Sequence, residues 1–328
     1  MERYSNFELL RIISMIMVLG LHANFKALGV PEISDDSLTG YYRIIFECIC
    51  IVCVNVFVLI SGWFGIKGSF HKLNSFAFQC VFILSVIYSL NIILGYAQFN
   101  LKGLGSCICL IGNGWFVISY IGLYLLAPII NNFILSSSRE LIRKTIILYW
   151  LFIMIWGWVG GNKNFNNGYS TLVFIGLYLI GRYLRLYGFK KLKYSCLFLT
   201  CTLVNTLLTI AIIKFNNGVG VGKIINYINP IVVLQSISLL LYFSSVPLGS
   251  KKYINWIASS AFAVYLFQDV SPFNEKLYNS LSQSIFESSN GFSYMINITA
   301  LILIFFICGI IIDKLRIIVW NIILRQRK

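Results

Sequence analysis

An all-α integral membrane protein, with about ten transmembrane helices and both termini in the cytoplasm, is the fold this sequence predicts. Three observations lead there. Of 328 residues, 58% are hydrophobic and only 11% are charged, which is too apolar for a chain that must present a solvated surface. The apolar residues fall in runs long enough to cross a bilayer. The basic residues alternate from loop to loop, as they would in a chain that crosses repeatedly.

Ten runs follow one another along the chain. Residues 7–25 carry Arg11 and His22. Residues 42–64 carry Glu47, Asn55 and Ser61. Residues 73–96 and the long stretch 104–134 come next, then 141–159 and 194–213 on either side of a short run at 171–186. Residues 224–246, a second short run at 256–270 ending in Gln268 and Asp269, and residues 292–312 complete the set, the last extending toward Trp320. The two short runs are expected to tilt or to end in polar cavities. The longest non-apolar stretches, residues 31–39 and 271–290, are read as external loops. No convincing internal repeat appears, and the whole of residues 1–328 is expected to be one transmembrane domain with no separate soluble domain.

Placing ten crossings with both termini on one side puts 19 of the 26 Lys and Arg residues on that side and seven on the other. The acids run the opposite way, so the net charge of +15 falls on the terminal face. Positive residues stay cytoplasmic, which sets the orientation. The charge thus reads as topology and attraction to anionic lipid, and no nucleic-acid partner is expected. A cytoplasmic basic face can also hold a phosphate-rich cofactor. The charged start before the first run has no clean small-residue cleavage site after it, so it is read as a retained helix.

Familiar soluble motifs fail. GVGVGK at residues 218–223 lacks the earlier glycine and the following Ser or Thr of a phosphate-binding loop. Cys48, Cys50 and Cys53 look metal-like, but residues two apart on a helix diverge by about 200°. With only two histidines, His22 and His71, no metal is expected.

The polar groups inside the runs remain. Ionisable residues in lipid are costly and mark function by default. Arg11 and His22 are eleven residues apart, close to three helical turns, so both project from one face about 16 Å apart along the axis. The alternative is a snorkelling arginine and a histidine that packs helices together. Counting from the topology, Arg11 lies at the cytoplasmic edge, while His22, Glu47, Gln268 and Asp269 share a depth in the outer half. A neutral imidazole, with an ordinary pKa of about 6.5, can take a proton from an alcohol. Glu47 or Asp269 could orient that ring, although Glu47 also has Arg43 one turn away as a partner.

These residues carry a resemblance. NFELLRIISMIMVLGLHA (residues 6–23) resembles the first helix of the acyltransferase-3 family, in which an Arg or Lys stands ten residues before a catalytic His. FVLISGWF (57–64), WFVISYIGLYLLAPIIN (115–131) and SSAFAVYLFQD (259–269) are similar to three further family blocks, in order. Two departures stand out. Many relatives have a histidine at the position of Gln268, and some carry paired arginines after the SG block, where this chain has Lys67, His71 and Lys72. The resemblance implies a membrane-bound O-acyltransferase. It would take an acyl group from acyl-CoA, most often acetyl-CoA, to a hydroxyl of a surface polysaccharide or lipid-linked sugar at the bacterial cytoplasmic membrane. It implies His22 as general base with Glu47, Gln268 and Asp269 nearby. Arg11, Ser61, Lys67 and Lys72 would lie on the CoA side, and Trp115, Tyr120 and Tyr124 are read as packing or as route-lining aromatics. A polysaccharide transporter or flippase is the second reading, and a glycan polymerase the third.

Overall fold

The computed structural model describes residues 4–32, 37–96, 98–109, 114–190, 192–270 and 272–326. Within them the chain is helical, with no strand. The α-helices in order are α1 (Ser5–Leu21), α2 (Leu38–Cys50), α3 (Cys53–Phe64), α4 (Phe70–Ile93) and α5 (Leu101–Cys109). They continue with α6 (Trp115–Ser136), α7 (Arg139–Phe152), α8 (Thr171–Tyr187), α9 (Tyr194–Asn216) and α10 (Val221–Ile224). The last are α11 (Pro230–Ser245), α12 (Lys252–Ala258), α13 (Ala261–Tyr265), α14 (Pro272–Ser288) and α15 (Gly291–Gln326). Helix starts follow ordinary capping chemistry. The Ser138 and Ser170 hydroxyls accept from the amides of Leu141 and Val173, and Asn229 caps α11 with Pro230 at its first position.

Among the described residues, seven helices are long and apolar enough to cross a membrane. They are Ser5–Lys26, Leu38–Phe64, Phe70–Ile93, Trp115–Ser136, Arg139–Val159, Tyr194–Asn216 and Gly291–Ile323. Three runs differ. Residues 171–186 form the 17-residue α8, and residues 224–246 contain the 16-residue α11. Residues 256–270 do not form one helix: α12 stops at Ala258, α13 starts at Ala261, and a π-helical segment occupies Leu266–Val270. Two side-chain donors meet on one carbonyl at that break, Trp256 O. Ser259 Oγ donates to Trp256 O at 2.8 Å, and Lys314 Nζ donates to both Trp256 O and Ser259 Oγ.

Two other expectations are corrected. The run at 104–134 is divided between α5 and α6, and its residues 110–113 lie outside the described residues. The stretch 271–290, read as a loop, is occupied by α14. Among its described side chains the buried positions are Asn274, Tyr278 and Ser282, one turn apart, whereas the apolar Leu277 and Leu281 are exposed, so the apolar spacing did not mark the buried face. In the other expected loop, 31–39, residues 33–36 lie outside the described residues, as does Ser271. The charge count also drew on Glu2, Arg3, Asp35, Asp36, Lys191, Arg327 and Lys328, which lie outside them too.

The chain divides into two compact units. One comprises Met1–Gly29, Ser69–Gly114 and Ser250–Lys328. Here α15 is tied to α4 by a buried cluster. Arg316 donates to both carboxylate oxygens of Asp313, at 2.9 and 3.1 Å, and Gln79 Nε2 donates to Asp313 Oδ1 at 2.9 Å. Every charge in that cluster is paired, as burial requires. The other unit comprises Val30–Gly68 and Trp115–Gly249. Its closest seam runs between α3 and α8, where the backbones nearly touch. A Cβ on Gly62 would lie 2.3 Å from Tyr178 O, and one on Gly181 would lie 2.3 Å from Leu59 O. Only glycine fits at such a crossing.

Candidate active site

The site is built from the ends of α1 and α13 in the first unit. Ser5 anchors the start of α1: its Oγ accepts from Lys251 N at 2.6 Å and donates to Asn255 Oδ1 at 2.9 Å. One turn on, Arg11 Nη1 donates to Glu8 Oε1 at 2.7 Å, with Glu8 buried and the arginine side chain one-third exposed. After Leu21 the helix changes form. His22–Lys26 is π-helical, and Asn24, at φ −105° and ψ −108°, leaves the helical region altogether. Gln268 and Asp269 stand on the other π-helical segment, Leu266–Val270. Single π turns are rare and concentrate at functional sites, because they re-aim side chains that a regular helix would bury in its neighbour.

Here they aim at each other. His22 Nδ1 lies 2.5 Å from Gln268 Oε1 and 3.6 Å from Asp269 Oδ1. An amide oxygen only accepts, so in the neutral ring Nδ1 carries the proton and donates to it. The lone pair is then on Nε2, the form a general base needs. Gln268 is fully buried, and its amide nitrogen has no hydrogen-bond partner among the described residues. Asp269, also buried, is held by Lys26 Nζ, which reaches Glu275 Oε1 at 3.1 Å as well.

Helix α14 braces both π segments. Tyr278, wholly buried, donates its hydroxyl to Leu19 O at 3.0 Å, at the end of α1. Asn274 Nδ2 donates to Phe267 O at 2.7 Å, inside the second segment. Both side chains thus bond the main chain beside the two segments.

The structure brings together three of the expected residues, His22, Gln268 and Asp269. The hydrogen-bond partner of the ring is the glutamine; the aspartate is the longer contact. Lys26 and Glu275 were missed. Lys26 stands four residues after His22, a spacing that signals proximity on a helix, but it was counted only as a topological charge. Glu275 lay in the stretch read as a loop.

The remaining expected residues are elsewhere. Lys72, in the first unit, is exposed, and Arg11 keeps its pair with Glu8. Glu47, Ser61 and Lys67 belong to the second unit. Glu47 is buried there, at 4% exposure, and Lys67 is exposed. Ser61 Oγ donates back to Phe57 O at 3.0 Å and lies 3.2 Å from Tyr120 Oη. Trp115 packs edge-on against Tyr169 with ring centres 4.3 Å apart, and Tyr120 stacks on Phe116. Two of the sequence blocks are therefore explained by architecture. Asn131 donates to Ile66 O at 2.9 Å and accepts from Tyr178 Oη at 2.7 Å, while Tyr178 Oη accepts from Ile66 N at 2.9 Å. That triangle fixes the turn after the SG glycine.

No curated protein and no solved structure matches the chain. The acyltransferase-3 family model, described as an acyltransferase domain, does match, over residues 4–314 and hence across both units. With the histidine of the first helix, its ten-residue spacing from Arg11 and the three later blocks all inside that match, the chain belongs to the acyltransferase-3 family.

Proposed function

We propose that this protein transfers an acyl group, in the simplest case acetyl from acetyl-CoA, to a hydroxyl of a surface polysaccharide or lipid-linked sugar, with His22 as general base. The proposal takes the chain to cross the bacterial cytoplasmic membrane ten times with both termini inside. The CoA phosphates then stay at the basic cytoplasmic face near Arg11, with Ser61, Lys67 and Lys72 as further donor-side groups. The thioester reaches His22 from that side, and the acceptor hydroxyl approaches from the outside.

The observation that carries this reading is the His22–Gln268 hydrogen bond in a chain of this family. His22 Nε2 accepts the hydroxyl proton as the acceptor oxygen bonds to the thioester carbonyl carbon. The carbonyl electron pair moves to its oxygen, giving a tetrahedral oxyanion. That pair returns as the carbon–sulfur bond breaks, the imidazolium proton goes to the departing sulfur, and the products are an ester and CoA thiol. Asp269 faces the imidazolium formed midway, while Lys26 and Glu275 hold that carboxylate in place. Glu47 is the second carboxylate proposed to orient the imidazole.

The test compares surface glycans from strains with the gene intact, deleted, or carrying His22→Ala. Loss of an O-acyl mass in the latter two, with polymer length and export unchanged, is the expected result. Full acylation with His22→Ala would remove His22 as the base. Lost export with no acyl change would favour a transporter.

A further inference from the structure

The hydrogen bond to His22 uses one end of the Gln268 amide and leaves the other end unexplained. A primary amide carries an acceptor oxygen and a nitrogen with two donor hydrogens. Here Oε1 is engaged by the ring, while Nε2 is buried and finds no acceptor among the described residues. Burying a polar group without a partner costs about 1–3 kcal/mol, and native structures leave few such groups. Of the seven buried side-chain atoms in that state among the described residues, this donor is the one on the amide bonded to the general base, where a substrate oxygen can become its partner. An imidazole-orienting role alone does not account for it, because any acceptor at this position would orient the ring.

We propose that Gln268 Nε2 is the donor that binds the carbonyl oxygen of the acyl group during transfer. This rests on the acyl-transfer reading and adds a second component to the same site. The two halves of the reaction then meet on one amide. Gln268 Oε1 accepts from His22 Nδ1–H and so keeps His22 Nε2 basic. Gln268 Nε2 donates to the thioester oxygen as it takes up negative charge. When the acceptor oxygen attacks, the new carbon–oxygen bond and the oxyanion form together, and the amide nitrogen donates to that oxygen as it gains charge. When the oxyanion collapses, the carbon–sulfur bond breaks and the imidazolium returns its proton to the sulfur. His22 and Gln268 each stand on a π-helical segment, and the bond between them holds the amide against the Nδ1 edge of the ring.

Three substitutions separate the two ends. Gln268→Glu keeps an acceptor for His22 Nδ1 and removes the donor. Gln268→Met removes both without adding charge. Gln268→His keeps both, since one ring nitrogen can accept while the other donates. The assay uses membrane vesicles containing the full-length protein, [14C]acetyl-CoA and the vesicles' own glycan acceptor, with the rate of label entering alkali-labile ester as the readout. Loss of a single oxyanion donor costs about 10²- to 10³-fold in kcat. Gln268→Glu should therefore fall by about that factor, with kcat and kcat/KM for acetyl-CoA declining together, as for an interaction made only in the transition state. Gln268→Met should fall at least as far, and Gln268→His should recover most of the loss. Gln268→Glu at the wild-type rate would overturn the donor role while leaving the acyl-transfer reading intact, and so would Gln268→His as slow as Gln268→Met. Absence of label incorporation by the wild-type protein, in vesicles whose glycan is acylated in the cell, would overturn both.

Discussion

The α3–α8 seam and the His22 site solve the same problem by opposite means. Each must hold two helical segments at close range inside a membrane protein, where helix association gains little from the hydrophobic effect. The seam does so by omission: Gly62 and Gly181 carry no side chain, and backbone meets backbone. The site does so with polar side chains, His22 on Gln268 and Lys26 on Asp269, backed by Tyr278 and Asn274. Packing of the first kind leaves no group free. Packing of the second kind leaves Gln268 Nε2 without a partner among the described residues, and a substrate oxygen can become that partner. The seam is therefore expected to be sensitive in stability and the site in rate.

Substitutions can break this contrast at several levels. The largest effect is expected for His22→Ala. General-base help is worth about 10²- to 10⁴-fold, so acyl incorporation should fall by that range while thermal unfolding in detergent stays close to wild type. A large drop in unfolding temperature would show that the ring is chiefly packing. Gly62→Ala should give the reverse pattern. Its Cβ would sit 2.3 Å from a main-chain oxygen that cannot rotate away, so overpacking at or above the usual range of about 1–3 kcal/mol is expected. Unfolding in detergent should drop accordingly, and a neutral outcome would mean that the helices separate freely.

Lys26→Met is expected to be smaller. It strips the cation from a buried carboxylate, but the lysine is itself more than one-third exposed, so about 1–2 kcal/mol is reasonable after solvent screening. The double variant with Asp269→Asn should recover part of that loss, since it removes the stranded charge. Strict additivity in this cycle would deny the coupling. Tyr278→Phe should be the mildest, at about 1 kcal/mol of unfolding free energy. Leu19 O keeps the amide of His22 as a donor, so it is not orphaned. A loss of several kcal/mol would instead assign Tyr278 a larger role in α14 docking.

Much of the fold was legible in the apolar runs, because length and hydropathy alone separate bilayer-length helices from the rest. The breaks were not. Residues 256–270 contain no Pro or Gly, and at their break Trp256 O accepts from Ser259 Oγ and from Lys314 Nζ, the lysine from far along the chain. Helix α14 was hidden for a related reason, since its buried stripe is Asn274, Tyr278 and Ser282. At the site, His22 stood out as an imidazole in an apolar run, and the four ordered blocks pointed to Gln268 and Asp269. Which of the two meets the ring depends on π-helical geometry that arises only from tertiary bonding. Lys26 and Glu275 look like ordinary surface charges until the two segments are brought together.

The contacts that α14 makes at positions 274 and 278 have an evolutionary consequence. Both end on main-chain oxygens, at Phe267 and Leu19, so the recognised partner is a peptide group that every residue supplies. These bonds therefore place no demand on the side chains at 19 and 267, although Leu19 is fully buried for packing, while at 274 and 278 they require a side-chain donor. Sequence variation around these contacts should be asymmetric. The embracing helix is constrained by its side chains, and the embraced segments are free to diversify wherever they face away from His22.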